Sequence, residues 1–292
     1  MKKHTVILFL VLANIFWAGN YIFGKYVVAE LTPLQMTFSR WSIAVILLFP
    51  IAQWIEQPNW RDVWSRWKIL LVMSLTGIIA YNYLLYEALR YTSSLNASLV
   101  NAVNPVLIAL FSALILKEKI PFKNKLGLLV SLCGVLLVLT KGQVLQIFRL
   151  EYNTGDLLMI LAILVWTFYS ILGKKILSIP PISATAVSVL IALIILLPFV
   201  LYTGLQIPHS SQALVGIIYM GLFPSVGAFV FWNIGIRQMG PGRAGIFMYL
   251  ITVFTAIIGL ILGQPITFIQ ISGGLLVFIG LYLSSSKSRT LK

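Results

Sequence analysis

Apolar residues fill ten runs along the chain, near residues 5–24, 34–55, 69–89, 93–116, 122–140, 154–174, 181–203, 211–235, 241–263 and 266–284. Short polar stretches rich in Lys, Arg, Asn and Pro separate them. A helix of about 20 residues spans the roughly 30 Å of hydrocarbon in a bilayer. Each run is therefore predicted to cross the membrane, which makes the chain an all-α integral membrane protein with ten transmembrane helices. The fifth run is the shortest, because Lys123 and Lys125 leave only Leu126 to Thr140 free of charge.

The pattern repeats. Trp17, Gly24 and Lys25 in the stretch Asn14 to Lys25 (NIFWAGNYIFGK) return 149 positions later as Trp166, Gly173 and Lys174. Arg90 and Ala97 return after 147 as Arg237 and Ala244, and Gly127 and Gly134 after 146 as Gly273 and Gly280. So small a drift over more than 100 positions marks a duplicated unit. The expected organisation is a first five-helix repeat over 1–141, a linker over 142–152, a second repeat over 153–286 and a tail over 287–292.

Charge placement sets the orientation. With the N-terminus inside, 16 of the 21 Lys and Arg residues fall at the termini or in the loops after the second, fourth, sixth and eighth runs. Lys25, Arg90, Lys141 and Arg149 fall on the other side, and Arg40 lies within the second run. Positive residues collect in the cytoplasm, so both termini are expected there. Five crossings per repeat is an odd number, so the two repeats enter in opposite senses and form an inverted-topology repeat. Repeats of this kind underlie alternating access in transporters.

Composition agrees: 60% of residues are hydrophobic and 10% charged, against roughly 25% charged in soluble domains. The net charge of +14 is explained by loop sidedness, so no nucleic-acid partner is expected. A single cysteine, Cys133, excludes an intramolecular disulfide and is read as a buried thiol in an apolar run. His4 and His209 have no partner motif, and no metal or cofactor is expected. Lys2, Lys3 and the apolar run that follows resemble a signal peptide, but the internal copy at 162–174 argues that this helix is retained.

Gly127 with Gly134 and Gly273 with Gly280 are seven apart and share a helical face, which suits close helix contact. Pro105 and Pro224 fall inside runs and are expected to kink them.

At these residues the chain resembles the EamA-type drug/metabolite transporters over essentially its whole length. The resemblance rests on the ten-helix duplication, on Trp17 with Gly24-Lys25 and their copies, on Arg40 soon after Thr32-Pro33, and on two segments. These are Asn104 to Ile120 (NPVLIALFSALILKEKI) and Thr252 to Thr267 (TVFTAIIGLILGQPIT). Gln264 stands where that family often has Glu, and Lys117 where it often has Gly. The resemblance implies an inner-membrane exporter or permease of small metabolites with a central cavity between the two repeats.

Polar side chains in hydrocarbon face the bundle or water. On that ground the candidate substrate-binding residues are Asn14, Trp17 and Tyr21 on one face of the first run, and Trp166, Tyr169 and Ser170 on the sixth. Tyr81 and Tyr83 on the third, Asn101 on the fourth, Trp232 on the eighth and Tyr249 on the ninth complete the set. Such a lining suits an amphipathic neutral or zwitterionic solute, although Trp17 and Trp166 equally suit packing anchors. Glu87 and Arg40 are candidates for coupling or gating. Glu87 reads either as an ion pair with Arg90 or as a proton-coupling carboxylate, and Arg40 as a snorkelling side chain, a structural hydrogen-bond donor or an anion site.

The function predicted is a secondary transporter of small organic metabolites, amino acids or related amphipathic solutes, working by alternating access; facilitator and antiporter remain open. The alternative is an integral-membrane enzyme acting on lipid-linked substrates, which calls for clustered acids, bases or nucleophiles where this sequence disperses them. No P-loop spacing occurs. The partners expected are a small solute and the bilayer; the oligomeric state is left open, a monomer being compatible with the sequence.

Overall fold

The computed structural model describes residues 3–140, 142–143, 153–176, 178–263 and 267–285. These are helical, with no strand among them. In chain order the helices are α1 (Lys3–Val27), α2 (Pro33–Ile55), α3 (Trp60–Ser65), α4 (Trp67–Tyr91), α5 (Ser94–Asn101), α6 (Asn104–Ile115) and α7 (Phe122–Leu139). The second half follows with α8 (Thr154–Lys175), α9 (Pro181–Thr203), α10 (Ser211–Met239), α11 (Pro241–Ile261) and α12 (Phe268–Ser285). Seven of them, α1, α2, α4, α8, α9, α10 and α11, are long and apolar enough to cross a bilayer. Most of the expected linker, the tail, Gln264 and Glu151 lie outside the described residues.

The fourth run departs from expectation: it is two helices, α5 and α6, not one kinked helix. Pro105 has no N–H to donate and its ring clashes with the carbonyl four residues back. The chain therefore restarts with Asn104 and Pro105 as the first two residues of α6. Thr252 stands at the equivalent place in α11, which carries through with only a tightened turn at Gly245–Met248. Cys133 is likewise not buried but on the exposed outer surface of α7. Many large apolar residues share such exposure, among them Ile46, Leu129, Ile194 and Tyr202. Apolar exposure on this scale is what a lipid-facing surface requires.

Equivalent helices of the two halves touch each other. α7 and α12 run antiparallel, so close that a Cβ on Gly134 would lie 2.5 Å from the Gly273 carbonyl oxygen and one on Gly280 2.5 Å from that of Gly127. Ser131 Oγ donates to the Val277 carbonyl between them at 3.3 Å. The glycine pairs thus serve as close-contact surfaces. α2 and α9 are also antiparallel: Gln35 Nε2 donates to the Gly204 carbonyl at 2.8 Å, while Glu56, just beyond the far end of α2, accepts from the Ile182 and Ser183 amides at 2.9 and 2.8 Å.

Loop carboxylates of the first half sit on helix N-termini of the second, where free N–H groups and the helix dipole favour negative charge. Glu56 holds the start of α9 in this way. Glu30 accepts from the His209 and Ser210 amides at 2.6 and 3.2 Å and from the Ser210 hydroxyl, at the start of α10. Glu118 accepts from the Gly242 amide at 3.4 Å, at the start of α11, and packs so tightly on Gly240 (φ +81°) that a side chain there would collide with it. At the opposite polarity, Lys25 Nζ donates to the Leu89 and Thr92 carbonyls at 2.6 and 2.9 Å, and Lys174 Nζ to the Arg237 carbonyl at 3.2 Å. These repeat-equivalent lysines satisfy the last carbonyls of α4 and α10.

Replacing Gly134 with Leu is expected to lower stability by about 1–3 kcal/mol through overpacking, measured by denaturation in detergent. The lipid-facing control Leu129→Ala stays within about 0.5 kcal/mol.

The two end carboxylates should titrate with opposite signs. Hydrogen bonds from Ser210 and His209 hold the Glu30 carboxyl below its ordinary range, so its stabilisation is present above that range and lost as pH falls through the lowered value. Desolvation pushes Glu118 up, so its contribution is present at low pH and lost as pH rises through the raised value. Melting temperatures of Glu30→Gln and Glu118→Gln, compared with the parent from pH 3 to 8, are expected to diverge from it in opposite directions as pH rises.

Candidate functional site

The centre of the molecule is an aromatic cluster built from both halves. Trp17 of α1 meets its repeat equivalent, Trp166 of α8, edge to face at 5.2 Å between ring centroids. Trp232 of α10 lies 5.6 Å from Trp17 and 5.9 Å from Trp166. Tyr81 and Tyr169 flank Trp166 at 4.7 and 5.0 Å. Phe229, not anticipated from sequence, joins them by contacting Trp17, Trp166, Tyr169 and, at 4.8 Å, Trp41. All these rings are buried. Offset and edge-to-face ring pairs add about 0.5–1.5 kcal/mol each beyond burial. Even so, the indole nitrogens of Trp41, Trp166 and Trp232 and the Ser170 hydroxyl have no hydrogen-bond partner. Buried polar atoms are rarely left so.

Other candidates take different places. Tyr83 is 43% exposed on the outer side of α4 and leaves the set. Tyr249 is buried but bonded through its hydroxyl to the Leu128 carbonyl of α7 at 3.2 Å, away from the aromatic cluster. Asn14 donates to the Leu10 carbonyl of its own helix. Tyr21 is buried, and its carbonyl accepts from Ser94 Oγ at 2.8 Å. Asn101 accepts from Asn104 Nδ2 at 3.4 Å, and its own Nδ2 is unpartnered. Glu87 forms the interfacial pair with Arg90, 3.4 Å apart, and accepts from the Tyr91 hydroxyl.

Arg40 does not snorkel. It is buried, and its guanidinium is wrapped by neutral acceptors from three other helices. Nε donates to Ser225 Oγ at 2.7 Å, and Nη1 to Asn20 Oδ1 at 3.1 Å, to Asn82 Oδ1 at 2.9 Å and to the Tyr86 hydroxyl. Nη2 has no acceptor. Trp41 and Tyr86 rings face the cation at 5.1 and 5.8 Å.

Two π-helical segments converge on this network, Ser74–Ala80 in α4 and Gly221–Ala228 in α10, at equivalent places in the halves. Widened turns of this kind free backbone carbonyls and occur often at functional sites. Here Asn82 Nδ2 takes the Gly77 and Ile78 carbonyls at 3.1 and 2.8 Å, and Ser225 Oγ the Met220 carbonyl at 2.6 Å. Pro224, in the second segment, needs such a turn because it has no N–H to give.

The two halves also share a polar pair with its partners exchanged. Tyr86 of α4 donates to Asn20 of α1 at 3.0 Å, while Tyr169 of α8 donates to Asn233 of α10 at 3.2 Å. Asn20 and Tyr169 are 149 positions apart, Tyr86 and Asn233 are 147. These are the repeat offsets of the same helices, so an amide and a phenol have changed places with the bond kept.

The family model for the EamA-like transporter family matches residues 4–140 and again 153–286. The chain belongs to the EamA-like transporter family. This EamA-like transporter is 29% identical to the uncharacterized transporter YyaM of Bacillus subtilis (strain 168), over 99% of this chain and 96% of the other. It is 31% identical to an uncharacterized transporter of Archaeoglobus fulgidus, covering 96% and 97%, and 25% identical to the aromatic amino acid exporter YddG of Ancylobacter novellus, covering 79% and 77%. A protein of known crystal structure shares its fold, with TM-score 0.78 at 17% identity, over 97% of this chain and 96% of that one. It is thus a multi-pass membrane transporter protein of the drug/metabolite superfamily.

Because Asn20 and Tyr86 both touch Arg40, they are expected to be energetically coupled. A double-mutant cycle of Asn20→Ala and Tyr86→Phe, read by denaturation in detergent, should give an interaction energy of about 0.5–3 kcal/mol.

Proposed function

We propose that this EamA-like transporter is a secondary transporter, an exporter or permease, of amino acids or related amphipathic metabolites. It crosses the inner membrane ten times, with both termini cytoplasmic, as two inverted five-helix repeats over 1–141 and 153–286. The seam between them opens to each side in turn. The observation that carries this reading is the crosswise meeting of the equivalent helices α7 and α12, Gly127 on Gly280 and Gly134 on Gly273, together with the contact of Trp17 with its repeat equivalent Trp166. Self-paired contacts of that sort are what a twofold axis in the membrane plane produces.

The end contacts support the inverted sense. Glu30, before α2, touches the loop that precedes α10, and Glu56, after α2, touches the start of α9. The loop 28–32 and residues 178–180 of its counterpart therefore lie toward opposite ends of α2. A small cavity of about 10 Å³, near the size that holds one water, is lined by Gly173, Asn233 and Arg237 among others. The buried rings with unpartnered indole nitrogens favour an amphipathic solute. The similarity to a protein named as an aromatic amino acid exporter points the same way.

In liposomes loaded with labelled amino acids and small aromatic metabolites, the purified protein is expected to release at least one solute faster than protein-free vesicles. Trp166→Ala should cut that rate at least tenfold. If no member of the panel moves while the protein is shown to be folded, transport of this class is ruled out. Imposing a pH gradient on the parent and on Glu87→Gln separates a coupled carrier from a facilitator.

A further inference from the structure

Among the described residues the cation on Arg40 has no counter-charge. Glu30, Glu56 and Glu118 are engaged on helix N-termini, Glu87 with Arg90, and Asp156 in the N-terminal cap of α8. Asp62 lies in the exposed segment α3. Every group that bonds to Arg40 is a neutral amide or hydroxyl. Burying an uncompensated ion costs several kcal/mol even after the surroundings relax, and neutral acceptors offset only part of that. A guanidinium carries five N–H donors. Here the Nε and Nη1 side is saturated while both Nη2 hydrogens are unused.

The arrangement is asymmetric in a way that packing alone does not require. Had the cation been a structural bolt, its donors would be spread over its acceptors. Instead three acceptors crowd Nη1, and the opposite nitrogen is bare. The helices around it carry the two π-segments, a departure from α geometry that is frequent at functional sites. Next to it, Trp41 leads through Phe229 at 4.8 Å into the Trp17, Trp166 and Trp232 cluster. A cation with an open donor thus adjoins a wall of aromatic rings.

We propose that Arg40 is the receptor for the carboxylate of the transported solute, one carboxylate oxygen lying on Nη2 while the solute's apolar body rests against the aromatic cluster. This rests on the transport reading and adds to it the charge class of the substrate. A bound carboxylate supplies the missing counter-charge, so loaded and empty carriers differ by one uncompensated buried charge. That difference is the differential interaction a ligand needs in order to shift a conformational equilibrium.

The test pairs L-amino acids with their own carboxamides, which keep the side chain and amine but lose the carboxylate. Flux is measured in liposomes of the full-length protein, and binding of the same compounds by quenching of tryptophan fluorescence in detergent. The acid of each transported pair is expected to move, and to bind, at least tenfold better than its amide. Arg40→Gln should abolish that preference. Because Arg40→Gln removes the hub of a buried network, Asn20→Asp provides the second variant. Asn20 Oδ1 already accepts from Arg40 Nη1 and from the Tyr86 hydroxyl, so the change keeps those contacts and gives Arg40 an internal carboxylate; its melting temperature should equal or exceed the parent's while carboxylate binding falls at least tenfold. Equal handling of acids and amides, or an Asn20→Asp protein that binds acids within twofold of the parent, overturns the carboxylate receptor and leaves the transporter standing. If neither acids nor amides nor any other panel solute moves, the transport reading falls and takes this one with it.

Discussion

A polar group left bare in hydrocarbon costs several kcal/mol, and this molecule is arranged around meeting that demand across its two halves. The exposed ends of helices are finished by the other half or by a neighbouring helix: carboxylates on N-termini, lysines on C-terminal carbonyls. The first half supplies Glu30, Glu56 and Glu118, and the second supplies the helices that receive them. Ties of this kind at the water interface are worth little individually. The ends are therefore registered by charge but not locked by it. What holds the halves together is helix packing, α7 on α12, α2 on α9, α4 on α8 and α1 on α10 and α11, with Trp17 on Trp166 at the centre.

The sequence made the duplication legible because certain residues repeat by identity. Several identical pairs have a matching role in the structure, although Arg90 pairs with Glu87 while Arg237 donates to the Ile179 carbonyl. Lys25 and Lys174 cap equivalent helix ends, Trp17 and Trp166 touch, and the glycines meet crosswise. The exchanged pair of Asn20 with Tyr86 and Tyr169 with Asn233 was not legible, since identity at either position is lost. Only the bond survives, and a bond between distant helices has no linear signature. The network around Arg40 was missed for the same reason, although the residue itself stood out as a charge inside an apolar run.

Three local readings, of Tyr83, Pro105 and Cys133, failed for physical reasons that the sequence did contain. Ser74 and Gly77 are small residues of the sort that mark a packed face of a membrane helix. Counting from Gly77, Tyr81 is four positions on and shares that face, whereas Tyr83 is six on and points away. Sorting α4 by its small residues before its tyrosines separates the two. Pro105 likewise acted as a helix start, not as a kink, because Asn104 and Pro105 together form a favourable first turn. Cys133 faces outward because Gly134, beside it, is the residue that meets α12, and adjacent positions on a helix cannot share that face.

The likeness of the halves is nearly complete in geometry and incomplete in charge. Pro33 and Pro181 each open their helix, and Thr37 and Thr185 bond back to those prolines in the same way. Carrying that offset three residues further places Ser188 opposite Arg40. One half buries a cation there and the other a hydroxyl with no partner. On the transport reading, the two shapes of the carrier are related by exchanging the roles of the halves, so contacts made by equivalent residues have similar strength in both. The Arg40 and Ser188 positions do not, because water reaching a guanidinium is worth far more than water reaching a hydroxyl. The balance between the two shapes is then set by this one position and by whatever occupies it, while the shared scaffold makes both shapes available.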